Sequence, residues 1–330
     1  MGYTDMNAFI ITQYGSPEVI QATKLSTPLI GAKEVLIKVV ASGLNPMDYK
    51  VRRGDLKNVI QFQFPKILGV DIAGIISGVG SEVTELQPND EVYALLPSPQ
   101  WGGYGEYVTV KAKYVAKKPK NLSFEEAAVF PTAGLTAWQA LRQKSKVYRG
   151  SQVLINGASG GVGTFAVQIA KAAGARVTGV CSAKNIDFVR GLGADEVIDY
   201  HTQDFTQLPY FYDIVFDAVG NRSFSECKSI LTKKGVYVTT TPSFKNMLHT
   251  GSTALVSKKS KIVMVKPSKE DLYQLTQFAE AGMLKPVIEK VYNASEKELV
   301  EAHQRMETGH TVGKLVMAMN FPDADQVEAG

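Results

Sequence analysis

The stretch Val153-Leu-Ile-Asn-Gly-Ala-Ser-Gly-Gly-Val-Gly163 decides the fold of the second half of this 330-residue chain. An apolar run leads into glycines at positions 157, 160, 161 and 163, and a helix is expected to begin there. Glycine lets the backbone approach a pyrophosphate closely, and the first turn of a helix presents unpaired N–H groups and a positive dipole end. A strand, a glycine loop, a helix and a second strand in this order predict a dinucleotide-binding unit.

Strand-like and helix-like segments alternate from this loop onward, which predicts a parallel sheet with helices on both faces. The strands are expected at Gln152–Asn156, Arg176–Cys181, Asp213–Asp217, Gly235–Thr241 and Lys261–Lys266. The helices are expected at Gly161–Ala173, Ile186–Gly191 and Ser223–Leu231.

The second predicted strand ends at Cys181 and is followed by Ser182, Ala183 and Lys184. The residues at this place help to determine which cofactor binds. A site for NAD usually has Asp or Glu here, which binds the ribose 2′-hydroxyl group. Ser182 and Lys184 instead offer a hydroxyl group and an ammonium group, which suit a 2′-phosphate. The sequence therefore favours NADPH over NADH.

The first 120 residues are rich in short strand-like runs separated by Gly and Pro, a pattern typical of a barrel or a sandwich. These runs are Glu34–Val40, Ala73–Val79, Asp90–Leu96 and Gly105–Val110. Helices are predicted after the capping boxes that begin at Ser123, Ser268 and Ser295. The first is interrupted at Pro131 and followed by a second helix through Leu141, the others end at Gly282 and Gly309, and Lys314–Met319 is a closing strand.

Composition excludes several classes of protein. The 36 Lys and Arg residues and the 32 Asp and Glu residues give a net charge of 36 − 32 = +4. This net charge is too small to indicate a nucleic-acid-binding protein. The two cysteines, Cys181 and Cys227, exclude a disulfide framework and fit a reducing compartment. No secretory signal or membrane-spanning run is visible, so we expect a cytoplasmic protein that acts on a small molecule.

The order of these segments resembles the medium-chain dehydrogenase/reductases, and in particular their zinc-independent quinone oxidoreductase and alkenal/enone reductase branch. The resemblance implies a GroES-like β-barrel catalytic domain in residues 1–122 and 283–330. It also implies a Rossmann NADP-binding domain in 123–282, and a homodimer built through the strand Lys261–Lys266. The motifs are Ser42–Lys50, Leu68–Gly74, Gly102–Tyr107, Ala133–Trp138, Gly157–Gly163, Leu192–Asp195, Phe216–Gly220, Lys285–Val287 and Gly313-Lys314.

Zinc alcohol dehydrogenases of the same superfamily bind catalytic metal through a Cys near the position of Asn45 and a His-Glu pair near Val70-Asp71. These ligands are missing from the sequence, and the four histidines are scattered and late. Zinc needs three or four Cys, His or carboxylate ligands. We therefore predict no metal.

The resemblance also implies roles for individual residues. Asn45, Tyr49 and Lys50 are the candidate catalytic residues. Those expected to touch the nicotinamide half of the cofactor are Asn45, Pro46, Asp48, Thr132 and Thr136. Those expected at the pyrophosphate are Gly157, Gly160, Gly161, Val162 and Gly163. Ser182, Lys184 and Tyr200 resemble the positions around the adenosine ribose phosphate, and Val219 and Thr240 lie at strand ends that face the cofactor.

The expected reaction is hydride transfer from NADPH to a quinone or to the activated C=C bond of an alkenal or enone. Such a reduction needs no metal or base, because a hydrogen-bond donor at the carbonyl oxygen stabilises the developing charge. Two other readings stay open. One is a non-catalytic NADPH-binding sensor or a structural protein like the lens crystallins, and the other is an enoyl-thioester reductase.

Overall fold

The computed structural model describes residues 5–242, 244–253 and 256–321, and of residues 244–246 it describes only the backbone. The chain divides into two units. The first comprises the residues up to Thr132, Pro267–Gln277 and the residues from Pro286 onward, and the second comprises Ala133–Lys266 and Phe278–Lys285. The domain limits of 1–122 with 283–330 and of 123–282 remain a prediction about where independently folding domains end.

The second unit holds the parallel sheet that the glycine-rich stretch predicts. Its six strands lie in the order β11-β10-β9-β12-β13-β14, and every neighbouring pair is parallel. The strands are β9 (Gln152–Asn156), β10 (Arg176–Cys181), β11 (Glu196–Asp199), β12 (Tyr212–Asp217), β13 (Leu231–Thr239) and β14 (Lys259–Ile262). The α/β class is confirmed.

The strand order reverses beside β9, since the chain runs outward through β10 and β11 and then returns to β12 on the other side. Ligands of open α/β sheets bind outside the carboxyl ends of the strands at such a reversal. The connections contain the helices α4 (Gly161–Ala172), α5 (Ile186–Gly191), α6 (Phe224–Cys227) and α7 (Phe244–Ser252). The glycine loop lies at this reversal, between β9 and α4.

Three predicted elements of this unit have clearly different bounds in the structure. The strand predicted over Gly235–Thr241 is Leu231–Thr239, because Leu231 already pairs with Tyr212. The helix predicted over Ser223–Leu231 ends at Cys227, because Leu231 is already extended and pairs with Tyr212. The strand predicted over Lys261–Lys266 is Lys259–Ile262, because its neighbour β13 ends at Thr239, the partner of Ile262. The edge strand β11 was not predicted.

The first unit contains the β-rich part of the chain. A seven-stranded sheet has the order β15-β16-β3-β5-β6-β8, with β7 paired to β3, and a three-stranded sheet has the order β2-β1-β4. The strands are β1 (Asp5–Ile11), β2 (Ile20–Ser26), β3 (Glu34–Gly43), β4 (Lys66–Ile67), β5 (Asp71–Val79), β6 (Glu91–Leu95), β7 (Tyr107–Lys111), β8 (Val115–Lys117), β15 (Ile288–Asn293) and β16 (Lys314–Ala318). The helices are α1 (Pro46–Arg53), α2 (Phe124–Ala128), the first part of α3 (Phe130–Trp138), α8 (Lys269–Glu280) and α9 (Glu296–Glu307).

Strand β3 is the centre of this sheet, because β5, β7 and β16 all pair with it. Its last residue, Gly43, has a positional reason to be glycine. A Cβ atom there would lie 2.2 Å from the carbonyl oxygen of Ala128. Close packing of α2 on the end of β3 therefore requires glycine, and it fixes where the following residues, from Leu44 onward, enter the core.

The break between α2 and α3 falls at Val129, two residues before the predicted position, so Pro131 stands in the first turn of α3. Proline has no N–H group, but no helical hydrogen bond is lost here, because N–H groups in the first turn have no intrahelical acceptor. After Trp138 the helix continues as a π-helical segment, Gln139–Lys144. Among the described residues, no helix is long and apolar enough to cross a membrane.

Candidate active site

The glycines of the loop after β9 are required for different reasons. Gly157 has a φ of +82°, and a Cβ atom there would lie 2.5 Å from Val219 Cγ2. A Cβ atom at Gly163 would lie 2.0 Å from the carbonyl oxygen of Gly157. At Gly160 it would meet only the Gly157 oxygen, at 3.5 Å, an ordinary contact. The fold needs glycine at 157 and 163, whereas at Gly160 the space that a side chain would fill is open to a ligand.

The first turn of α4 faces the same loop. Gly160 precedes the helix in an extended conformation, with φ −81° and ψ 172°, and Gly161 and Val162 are partly exposed. N–H groups at the start of a helix have no intrahelical acceptor and lie at the positive end of the helix dipole. The loop and helix therefore form a site for an anion, which is what a dinucleotide pyrophosphate requires.

The ends of β10 and β11 carry the residues predicted for the adenosine ribose. Ser182 is half-buried and Lys184 is exposed, directly after β10. Tyr200 follows β11, is 45% exposed, and its N–H group donates to the carbonyl oxygen of Cys181 at 3.2 Å. The parallel pairing of β10 with β11 therefore brings these predicted residues to one edge of the sheet.

Two further residues at this edge were not predicted. The amide of Asn185 donates to Ser159 Oγ at 3.2 Å and to Ser182 Oγ at 3.4 Å, which ties the ribose end to the glycine loop. Asp199 pairs with Cys181 in the register of the sheet and its carboxylate accepts from the His201 N–H group. Burial raises the pKa of the Cys181 thiol to about 11, which fits a core residue rather than a reactive one.

Asp217, at the end of β12, organises the next loop. Its Oδ1 atom accepts from the N–H groups of Val219 and Gly220 at 3.2 and 2.9 Å. Its Oδ2 atom accepts from the N–H group of Arg222 at 3.0 Å. Val219 is 54% exposed beside Gly157, and the Thr240 N–H group donates to the Asp217 carbonyl oxygen. Asp217 is therefore structural, and it positions the predicted cofactor-facing residues.

In the first unit, Asn45 joins β3 to α1 and is buried. Its amide nitrogen donates to the carbonyl oxygen of Gly43 at 3.2 Å and to Asp71 Oδ2 at 3.0 Å. Its amide oxygen accepts from Lys314 Nζ at 2.5 Å. Both amide N–H donors and one acceptor position of the amide oxygen are thus occupied inside the unit.

Asp71 and Lys314 form a buried pair around Asn45. Lys314 Nζ lies 3.6 Å from Asp71 Oδ2 and donates to the Leu44 carbonyl oxygen at 2.6 Å. Asp71 Oδ1 accepts from the N–H and hydroxyl groups of Thr132 at 2.8 and 2.6 Å. Burial raises the pKa of Asp71 and lowers that of Lys314, and each charge opposes the shift of the other. A buried charge is tolerated only with such partners.

The remaining predicted residues of this segment differ in exposure. Pro46 and Lys50 are exposed, Tyr49 is half-buried, and Asp48 is buried. Burial raises the pKa of Tyr49, so its hydroxyl group keeps its proton at neutral pH. Helix α1 therefore presents Tyr49 and Lys50 outward while Asp48 points into the core of the unit.

The comparisons with known proteins agree on one family. The alcohol dehydrogenase GroES-like domain matches residues 31–120, and the zinc-binding dehydrogenase domain matches residues 192–317. The chain is 35% identical to 2-methylene-furan-3-one reductase of Solanum lycopersicum, over 95% of this chain and 79% of that protein. It is also 35% identical to the mitochondrial NAD(P)H oxidoreductase RTN4IP1 of Mus musculus, over 95% and 89%. The solved quinone oxidoreductase from Coxiella burnetii is similar with a TM-score of 0.86 and 33% identity, covering 96% of this chain and 100% of that one.

The chain belongs to the medium-chain dehydrogenase/reductase superfamily, in its quinone oxidoreductase branch. It is an oxidoreductase. The predicted family and the predicted pairing of a GroES-like domain with a Rossmann-type domain are confirmed.

One of the two matching domains is described as zinc-binding, so we asked whether the residues of this chain could bind zinc. Zinc takes thiolate, imidazole or carboxylate ligands. The residues at the expected place are the amide of Asn45 and the carboxylate of Asp71, and the Lys314 ammonium group already contacts both. A metal cation there would meet the Lys314 amino group, which occupies the Asn45 oxygen and lies beside Asp71, so these residues do not fit zinc. Within the described ranges, no group of three His, Cys, Asp or Glu side chains could hold a metal ion.

The structure brings part of the predicted site together. Asn45 and Thr132 meet through Asp71, and Gly157 meets Val219. Thr136 is buried on α3, within the second unit. Sequence reasoning assigned no role to Lys314, although the Gly313-Lys314 motif was noted, because nothing in the local sequence shows which residue pairs with Asp71.

We predict that Gly160→Val and Gly163→Ala fail in different ways. The Cβ atom of a valine at 160 makes only an ordinary contact, with the Gly157 oxygen, so the fold should persist while the affinity for NADPH and for NADH falls at least about tenfold. An alanine at 163 must displace the Gly157 carbonyl group, and overpacking of this kind costs about 1–3 kcal/mol of stability. Calorimetric titration and thermal unfolding measure the two effects. A folded Gly160→Val variant with unchanged affinity would show that no ligand approaches the loop there.

Proposed function

We propose that this protein is a zinc-independent, NADPH-dependent oxidoreductase that transfers hydride to a quinone or to the activated C=C bond of an alkenal or enone. The observation that carries the proposal is the open position at Gly160, at the start of α4, with the exposed Lys184 at the end of β10. The names of the relatives support the same class of acceptor, since they include a methylene-furanone reductase and a quinone oxidoreductase.

In this proposal, different residues bind different parts of the cofactor. The N–H groups of Gly161 and Val162 would hold the pyrophosphate, and Ser182 and Lys184 would hold the 2′-phosphate. Asp199 lies beside the end of β10, and its carboxylate accepts from the His201 N–H group, which orients it within its own loop. When bound, the nicotinamide supplies the hydride.

The residues of α1 would serve the acceptor. Hydride transfer leaves negative charge on a carbonyl or quinone oxygen, and a positioned donor stabilises it. Both amide N–H groups of Asn45 already donate to Gly43 and Asp71, so in this proposal Asn45 holds the start of α1 in place. Donation then falls to the Tyr49 hydroxyl group or the exposed Lys50 ammonium group. Pro46, Asp48, Thr132 and Thr136 stay in the proposal as residues around the nicotinamide.

We also propose a homodimer through β14, the strand at one end of the six-stranded sheet, because a strand that ends a sheet can pair with its twin. Light scattering at micromolar concentration tests it, and a monomer would remove it. A cytoplasmic location stays a prediction, because one of the relatives is named as mitochondrial.

We predict NADPH oxidation at 340 nm in the presence of 9,10-phenanthrenequinone, 1,4-benzoquinone or a short alkenal, unchanged by chelator. Lys50→Met should lower kcat/KM by roughly tenfold, because a charge-assisted hydrogen bond contributes about 1.5–3 kcal/mol. Lys57→Met, an exposed lysine beyond α1, is the matched control and should have no effect. Tight NADPH binding without turnover on any acceptor would favour the non-catalytic sensor or structural protein instead.

A separate prediction concerns cofactor choice. Lys184→Ala should weaken NADPH binding by about 10- to 100-fold, the equivalent of a charge-assisted contact, and leave NADH binding within about twofold. Lys233→Ala, an exposed lysine on β13, is the control. Parallel titrations with both nucleotides make the comparison. Equal losses for NADPH and NADH would show that Lys184 does not read the 2′-phosphate.

A further inference from the structure

The proposed reaction leaves one fully buried charge of the first unit without a role. Arg52 stands in the last turn of α1 and is 0% exposed. A buried ion pair costs much desolvation energy, and well-packed apolar side chains of similar volume are often as stable or more stable. The stability of the core therefore does not explain why an arginine lies at this place.

Arg52 pairs with one carboxylate, that of Glu307 at the end of α9. Its Nη2 atom donates to Glu307 Oε1. The two side chains are 0% and 27% exposed, so the carboxylate lies at the border between the core and the surface. The other guanidinium nitrogens, Nε and Nη1, have no hydrogen-bond partner among the described residues. The position of this guanidinium group therefore depends on Glu307.

Helix α9 is itself fixed near both ends. Near its start, Glu296 Oε2 accepts from the N–H group of Ala22 on β2 at 2.9 Å. Near its end, the guanidinium group of Arg305 donates to both carboxylate oxygens of Glu289 on β15, at 2.6 and 3.0 Å. Because β2 and β15 belong to the two sheets of the first unit, Glu307 stands on a rigid support.

The backbone at the end of α1 is held as well. The Arg52 carbonyl oxygen accepts from the N–H group of Gly15 at 3.0 Å. Gly54 ends the helix with a φ of +83°, and a Cβ atom there would lie 3.0 Å from Tyr14 Cγ. The loop after β1 therefore packs closely against the end of α1, and the Arg52–Glu307 ion pair adds a contact to α9.

The start of α1 is held by a separate set of contacts. The Asn45 N–H group donates to Asp48 Oδ2 at 2.8 Å, and the Asn45 amide donates to Asp71 Oδ2 at 3.0 Å. A helix of eight residues that is tied at both ends cannot tilt or rotate unless one set of contacts is lost. Tyr49 and Lys50 lie between the two sets.

Tyr49 is close to the ion pair in the helix. It precedes Arg52 by three residues, a spacing that places two side chains side by side on one face of a helix. The pKa of Tyr49 is raised by burial, Arg53 opposes the rise, and Glu307 adds to it. A change at Glu307 should therefore act on Tyr49.

We propose that the buried ion pair of Arg52 and Glu307 fixes the last turn of α1, and that both are positioning residues that orient Tyr49 and Lys50 for the reduction. The inference rests on the proposed function, because it assigns a role beside the residues expected to donate to the acceptor. An ion pair suits this role because a charge-assisted hydrogen bond has a preferred geometry, whereas apolar burial has no direction.

The first test removes the carboxylate. Glu307→Gln should lower kcat with 1,4-benzoquinone roughly tenfold, because a misplacement of about 1 Å is enough for losses of this order. The Kd for NADPH should stay within about twofold, since the residues proposed for its phosphates lie in the second unit. The midpoint of thermal unfolding should fall by about 5–10 °C, because Arg52 becomes an unpaired buried charge.

The matched control is Glu301→Gln, which removes an exposed carboxylate of the same helix that pairs with Lys290. It should change neither kcat nor the unfolding midpoint, because an exposed ion pair contributes little. Equal values of kcat in Glu307→Gln and Glu301→Gln would overturn the inference.

A double variant separates positioning from stability. Arg52→Met together with Glu307→Leu replaces the ion pair by apolar side chains, a change that is often neutral or stabilising. The unfolding midpoint should return to within about 3 °C of the wild type, whereas kcat should stay roughly tenfold low, because the directed contact is still missing. Recovery of kcat together with stability would overturn the inference, since the pair would then serve stability alone.

The closing experiment observes Tyr49 without turnover, in protein whose tyrosine rings carry carbon-13. The Tyr49 resonance is identified by its loss in Tyr49→Phe. It should broaden in Glu307→Gln and in the double variant, because the ring then samples more than one orientation, and it should stay narrow in Glu301→Gln. A narrow Tyr49 line in both ion-pair variants overturns the inference, whatever their stability.

The outcomes separate the two proposals. A broadened Tyr49 line with wild-type kcat overturns the inference and leaves the proposed function intact. Absence of quinone and alkenal turnover in the wild type overturns the proposed function and, with it, the role of the pair in reduction. The width of the Tyr49 line still reports in that case whether Arg52 and Glu307 fix the last turn of α1.

Discussion

The buried pair of Lys314 and Asp71 is the interaction on which the first unit depends. It joins β16 to β5, and through Asn45 and Thr132 it reaches α1 and α3. These residues lie at four widely separated places in the sequence. A lysine and an aspartate at this depth are stable only because each has the other and several hydrogen bonds. Removal of either one would leave an unpaired charge in the core.

The same pair defines what the Asn45–Lys50 segment can do. Asn45 uses its whole side chain to hold the end of β3 and the start of α1, so it is a support. The outward-facing residues, Tyr49 and Lys50, are left available to a ligand. Below them lies Asp48, which is buried and accepts from the Asn45 N–H group. Helix α1 therefore has a buried side held by hydrogen bonds and an exposed outer face.

The candidate site in the second unit was easier to predict from the sequence, because most of it consists of backbone groups. The sequence predicted the loop from Gly157 to Gly163, the helix after it and the strand that ends at Cys181, and each is present. Pattern was sufficient there because a phosphate-binding turn depends on glycines at short spacing. The β11 strand and Asn185 were missed, since a four-residue edge strand and a single amide have little local signal. The helix predicted from Ser223 was too long, because local propensity favours helix there whereas the pairing of Leu231 with Tyr212 requires extended backbone.

The sequence by itself determined the family, the alternation that builds the parallel sheet, the glycine loop and the cation at the end of β10. All of these depend on neighbours within a few residues of one another. Only the tertiary structure decided that Asn45 has no free donor, that Lys314 contacts both Asn45 and Asp71, and that the Tyr104 hydroxyl group lies beside His303 Nε2. Those contacts join residues up to 269 positions apart. Burial, which sets their charge and proton affinity, arises only when the whole unit is packed.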